Sequence, residues 1–207
     1  AVDLASIGSA TTGVVSVSNA VEISGDHDQL IAALFTSDSR VLLGGGSNDA
    51  TIIINDAAGT EIDATELSSI GEQTNSSVSV ANAVSIKGST AELIAALITL
   101  SSKVTASNSN IDINDAVGTG ISAVDLASIG SATTGVVSIS NAVKISGNQS
   151  DITAALVTEE SLVVASTASV EITDPDSTTI NASDLSAIGG KTTNTVSISN
   201  TINIIGK

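Results

Sequence analysis

The stretch Ala123-Val124-Asp125-Leu126-Ala127-Ser128-Ile129-Gly130-Ser131-Ala132-Thr133-Thr134-Gly135, continued by Val136-Val137-Ser138-Ile139-Ser140-Asn141, has a near-identical copy at the start of the chain. Between Ala1–Gly25 and Ala123–Gly147 only two positions differ, Val17 against Ile139 and Glu22 against Lys144. Diverged copies start near Ala64 and Ala182. Self-similarity at a fixed period is the mark of a repeat architecture, and every other feature is read in register with it.

Leu4, Leu30, Leu67, Leu93, Leu126, Ile152 and Leu185 serve as a ruler, and their successive numbers differ by 26, 37, 26, 33, 26 and 33. Two kinds of coil therefore alternate, a shorter type A and a longer type B. The true repeat is a pair of coils, at approximately 1–61, 62–120 and 121–179, with a partial pair at 180–207. The expectation is a single array of about seven coils over 1–207. Ala1 falls just after the N-cap position of the other copies, and Ile205-Gly206-Lys207 stops where a type B helix would begin. The sequence thus reads as a window on a longer array.

Each coil opens on helix-start chemistry. Asp26-His27-Asp28-Gln29, Asp63-Ala64-Thr65-Glu66, Ser89-Thr90-Ala91-Glu92, Ser122-Ala123-Val124-Asp125, Asn148-Gln149-Ser150-Asp151 and Asn181-Ala182-Ser183-Asp184 all place Glu, Asp or Gln three residues after an N-cap residue. That is the capping box or its Asp variant. Apolar residues at helical spacing follow. Gly8, Gly71, Gly130 and Gly189 are expected to stop the type A helices through left-handed C-caps. Type B helices lack that glycine and are expected to run a turn longer.

After each helix comes period-two alternation, Val15-x-Val17-x-Asn19-x-Val21-x-Ile23 and its copies at 78–86, 137–145 and 196–204. This reads as β-strand with one buried face. The central Asn is either a stacked amide inside or a left-handed corner that splits the segment. A phase break between Val104 and Ile111 favours a corner in type B coils, whose strands end at Ile54-Asn55-Asp56, Ile113-Asn114-Asp115 and Ile172-Thr173-Asp174.

The predicted fold is an α/β repeat solenoid, with stacked coils of one short capped helix and one or two short parallel β-strands. The alternative is a β-solenoid, or β-helix, with short helical corners. Strands stack about every 4.8 Å, whereas helix axes need roughly 8–10 Å. One answer to that mismatch is to send type A and type B helices to different sides, and it is overturned if the helices share a row.

Composition limits function. Hydrophobic residues make up 42% of the chain, with one Phe (Phe35) and no Trp, Tyr, Met or Cys, so the core must be Val, Ile, Leu and Ala. Without Cys, disulfides and thiolate metal sites are excluded. A net charge of −16, with only Arg40 and five lysines, argues against nucleic-acid partners and anionic lipid. No apolar run reaches the length of a membrane span and no signal peptide is visible.

Ala182-Ser183-Asp184-Leu185-x-x-Ile188, the Thr133-Thr134-Gly135 that follows its equivalent, and Ile23-Ser24-Gly25 with Ile145-Ser146-Gly147 resemble tandem repeats of very large bacterial surface proteins. Such repeats are frequent in marine cyanobacteria and their relatives. The resemblance covers the whole chain and implies a secreted, cell-surface or filament-forming protein, sometimes with calcium-binding repeats elsewhere in the polypeptide. Here the nearest approach to a calcium nonapeptide is Gly44-Gly45-Gly46-Ser47-Asn48-Asp49, present once and with Ser in place of a third Gly.

No residue qualifies as catalytic, cofactor-binding or metal-ligating, and no enzyme is expected. His27, the sole histidine, sits in the first turn of one helix without a counterpart elsewhere. Gly190-Lys191-Thr192 resembles the tail of a phosphate loop, but Leu185 stands where that loop needs Gly. Paired carboxylates recur as helix caps, with no aromatic platform for a sugar. Asp56, Asp115 and Asp174 form a ladder that suits calcium between coils or, more simply, turn caps facing water. Asn75, Asn148 and Asn181 begin glycosylation sequons, and the last two already serve as caps.

The expected function is structural, in an extracellular fibre, sheath, surface layer or adhesin stalk. Its partner would be itself, through neighbouring repeats or identical subunits joined head to tail. The second expectation is a surface binding module for polysaccharide, a calcium-dependent adhesin or an ice-binding solenoid. The Thr133-Thr134 and Thr192-Thr193 pairs support that reading, and the Asn75-Ser76 site interrupts it.

Overall fold

A computed structural model describes residues 1–36, 39–43 and 50–206. The protein is α/β, with short helices and short parallel strands in several small sheets. It forms two compact units, one of Ala1–Lys87 with Glu92–Ser109, the other of Gly88–Ala91 with the chain from Asn110 onward.

The first unit contains α1 (Val2–Ser9), β1 (Val15–Val17), β2 (Glu22–Gly25), α2 (His27–Leu34), β3 (Val41–Leu43), β4 (Thr51–Ile54), β5 (Glu61–Asp63), α3 (Ala64–Glu72), β6 (Val78–Val80), β7 (Ser85–Gly88) and β8 (Val104–Thr105). The turn α4 (Thr90–Leu93) continues as a π-helical turn, Ile94–Ile98. The second unit contains β9 (Asn110–Ile113), β10 (Gly120–Ser122), α5 (Ala123–Ser131), β11 (Val137–Ile139), β12 (Lys144–Gly147), α6 (Gln149–Leu156), β13 (Val163–Val164), β14 (Ser169–Ile172), β15 (Thr179–Asn181), α7 (Ala182–Gly189), β16 (Val196–Ile198) and β17 (Asn203–Ile205).

Strands pair in parallel with a neighbour two places along in chain order, at a nearly constant separation. Val15 lies opposite Val41, Ile52 opposite Val78 and Val78 opposite Val104 in the first unit. Ile111 faces Val137, Val137 faces Val163 and Val170 faces Val196 in the second. Each of these steps advances the residue number by 26, and the Glu61–Ser85, Gly120–Lys144 and Thr179–Asn203 steps advance it by 24. The Glu22–Thr51 step is longer, because it crosses the segment holding Gly44–Asp49, which lies outside the described residues.

In each unit the inward side of the strands is the predicted Val/Ile/Leu/Ala core. Ile52, Ile54, Ile62, Leu67, Ile86, Leu93, Ile111, Ile113, Ile121 and Leu126 are completely or almost completely buried. Each such side chain contributes about 1.5–3 kcal/mol by leaving water. Phe35 stays partly exposed and plays no part in it.

The sequence repeat, from Ala64 to Ala123 and again to Ala182, exceeds two strand-to-strand steps by one short strand and its connection. That excess is β5, β10 or β15, so type B coils hold three strands rather than one or two. The helices therefore cannot stay in register with the strands. One step beyond β3 the chain is in α3, and one step beyond β13 it is at the end of α7.

Type A and type B helices do not go to different sides. α1 packs beside α2, α3 beside the π-helical turn and α5 beside α6. The spacing mismatch is met differently: two helices lie side by side, and the next pair is displaced by one strand position. α2–α3 and α6–α7 then touch less extensively.

The type A glycines are not left-handed stops either. Gly8, Gly71 and Gly130 lie inside their helices, and none is among the glycines with positive φ. A Cβ there would stand 1.6, 1.8 and 2.7 Å from the carbonyl oxygens of Ser39, Ser102 and Ser161. These glycines let the following coil's backbone approach. Type B helices are not a turn longer: α2 and α6 have eight residues, α1 and α7 eight, α3 and α5 nine.

Candidate functional site

The capping boxes divide by coil type. In α2 and α6, Asp26 and Asn148 accept the N–H of Gln29 and Asp151, each at 2.8 Å. In α3 and α7 the N-cap residues Asp63 and Asn181 cap no backbone N–H, and in α5 Ser122 accepts from Val124 at 3.2 Å. Those three residues end β5, β10 and β15. A strand leading straight into a helix fixes where the side chain points, and the box geometry is lost.

Type B helix starts carry a second cap from elsewhere in the chain. The N–H of His27 donates to Asp56 Oδ2 at 2.8 Å, that of Thr90 to Asp115 Oδ2 at 2.8 Å and that of Gln149 to Asp174 Oδ2 at 2.6 Å. A carboxylate there also meets the positive end of the helix dipole. The same aspartates accept on their backbone. Asn82 Nδ2 donates to the Asp56 carbonyl at 2.7 Å, Asn141 to Asp115 at 2.8 Å and Asn200 to Asp174 at 2.7 Å.

His27–Asp56–Asn82, Thr90–Asp115–Asn141 and Gln149–Asp174–Asn200 are therefore three copies of one tie across three successive passes of the chain. The aspartates do cap, and two of them do not face water: Asp56 is 5% exposed and Asp174 8%, while Asp115 is half-buried. The asparagines mark corners, as one reading of the alternation has it, though none among the described residues has positive φ.

Two of these aspartates make a further contact. Thr90 Oγ1 donates to Asp115 at 2.7 Å, and His27 Nδ1 lies 2.6 Å from Asp56 Oδ1. The His27 side chain is 14% exposed, and its Nε2 stands 3.6 Å from Asp28 and 3.9 Å from Glu66 of α3. Burial works against the imidazolium, but the Asp56 hydrogen bond and the charges of Asp56, Asp28 and Glu66 outweigh it. The pKa of His27 therefore lies above its ordinary 6.5.

The threonines form another row. Thr11, Thr74, Thr133 and Thr192 each accept, on Oγ1, the N–H two residues on, at 2.9–3.0 Å. Thr74 and Thr192 also donate to the carbonyls of Ala50 and Ala168. The residue level with Thr133 is thus Thr74, not Asn75, and its hydroxyl is engaged in turn structure instead of forming a surface array.

The remaining sequence candidates find similarly structural places. Gly190-Lys191-Thr192 closes α7, whereas a phosphate loop must open a helix. Asn148 is an N-cap, and the Asn181 amide donates to Asp184. Among the described residues, no group of three or more His, Asp or Glu is arranged to hold a metal ion. No helix among them is long and apolar enough to cross a membrane.

What sequence reading misses is the tie itself. Its signal is present, since His27, Thr90 and Gln149 each stand one pass of the chain before an aspartate. The geometry defines the class as an α/β protein with a repeat-like arrangement of short helices and parallel strands, joined by recurrent side-chain-to-backbone hydrogen bonds. No protein-family model, curated protein or solved structure matches the chain.

Proposed function

We propose that this is a non-catalytic structural protein of the cell exterior, a length of fibre, sheath, surface layer or adhesin stalk built as an α/β solenoid. The observation that carries the reading is the parallel pairing of strands at a nearly constant chain separation, repeated in each unit. An array of that kind stabilises itself additively, because each coil buries its Val/Ile face against the next. Such a chain gains length without needing a new core.

Two features support the structural over the binding reading. The aspartate ladder engages one oxygen of each carboxylate with a helix N–H group. The threonine row commits its hydroxyls to turns. Neither presents a regular array of free ligands to calcium, ice or polysaccharide. The partner in this reading is the same chain, with subunits stacking end to end or pairing edge strands.

Electron microscopy of the protein at high concentration tests it. Filaments with a regular axial repeat are the expected result. Dispersed short rods that stay monomeric would overturn self-assembly, and globular particles would overturn the solenoid.

A further inference from the structure

We propose that His27 is a pH-sensitive latch that joins the start of α2 to α3, engaged when the imidazole carries both protons and released when it loses one. The other two ties hold Thr90 and Gln149 at this position, and neither side chain titrates. Of the three copies, the first alone contains a group whose charge changes near neutral pH.

The ring is gripped from three elements. Asp56, between β4 and β5, accepts from Nδ1 and is buried to 4% side-chain exposure, so this contact holds the ring in place. Asp28 on α2 and Glu66 on α3 face Nε2. Among the described residues, these three carboxylates are the charged groups found against the imidazole.

With Nε2 protonated, the charged ring attracts the Glu66 carboxylate and draws α3 to the α2 N-terminus. Once that proton leaves, Nδ1–H still donates to Asp56. Nε2 then turns a lone pair toward two carboxylates, and attraction between α2 and α3 becomes repulsion. The direction of the pKa agrees with this geometry. Because the folded pKa is raised, the stabilisation is complete below the unfolded value of 6.5 and is lost as pH rises through the folded value. Between those two values, each pH unit changes the folding constant about tenfold.

The experiment is an NMR titration of His27 in the intact chain, read together with amide exchange in α2 and α3 at pH 5.5 and 8.5. His27→Gln, which copies Gln149, serves as the non-titrating control and cancels any pH effect common to both proteins. The expected result is an inflection above 6.5, lowered by Glu66→Gln. Protection of α2 and α3, corrected for intrinsic exchange, then falls several-fold at pH 8.5 in the wild type and not in His27→Gln. An inflection at or below 6.5 would overturn the latch, and that reading needs no variant. Equal pH dependence of protection in both proteins would also overturn it.

Discussion

A Cβ added to Gly71 would sit 1.8 Å from the carbonyl oxygen of Ser102, with the Ser102 carbonyl carbon at 2.8 Å. Backbone cannot swing aside as a side-chain tip can. Gly71→Ala is therefore expected to destabilise the first unit by about 2–3 kcal/mol, the range of serious overpacking. Urea denaturation checks this, with a lowered midpoint expected for the variant; an unchanged midpoint would refute the close-approach account.

Gly59, Gly118 and Ser177 occupy one recurrent turn position, with φ of 80°, 80° and 67°. Left-handed backbone costs an ordinary residue about 1–2 kcal/mol. Ser177→Gly should raise stability by up to about 1 kcal/mol. Gly118→Ala should lower it by a similar amount through φ alone, since no atom lies within 4 Å of its added Cβ. Thermal melts of both variants check the pair.

The sequence makes parts of this legible and hides others for identifiable reasons. Alternation in Val137-x-Ile139 and its copies, together with the Leu ruler, reveals strand and helix because those signals are local. Gly130 after Ile129 reads as a stop because a helix-ending glycine and a close-approach glycine look alike in one dimension. Gly120-Ile121-Ser122 hides a third strand, since three residues with one apolar side chain have no period to detect. The Asp56, Asp115 and Asp174 ladder is visible as a ladder. Its partners are not, because a contact one full pass back in the chain becomes obvious only once the strand register is known.

Asp174 caps Gln149 from the following pass of the chain at 2.6 Å and is nearly buried. Asp174→Ala leaves that helix N–H without its acceptor and should cost about 1–3 kcal/mol. Asp174→Asn retains an oxygen and should cost less than half as much. Amide exchange at Gln149 locates the effect, and an unchanged rate in Asp174→Ala would show the bond to be unimportant.

Calcium would have to share these carboxylates with the helix N–H donors to use the ladder. Melting of the protein after exhaustive chelation is therefore expected to coincide with melting in millimolar calcium. A higher midpoint with calcium would show that the ion binds and would overturn the reading of the ladder as helix caps alone.

Asn141 joins one pass of the chain to the one before it, its Nδ2 donating to the Asp115 carbonyl at 2.8 Å. Truncation to Ala removes this bond and a longer one to the Asn114 carbonyl at 3.4 Å, and should cost about 1 kcal/mol. Asn141→Asp should cost more than Ala despite its closer shape, because an acceptor then opposes an acceptor and a negative charge is added beside a carbonyl oxygen. The ranking Asn, then Ala, then Asp in urea midpoint distinguishes a directed hydrogen bond from simple corner preference, under which Asp, a good turn residue, would outrank Ala.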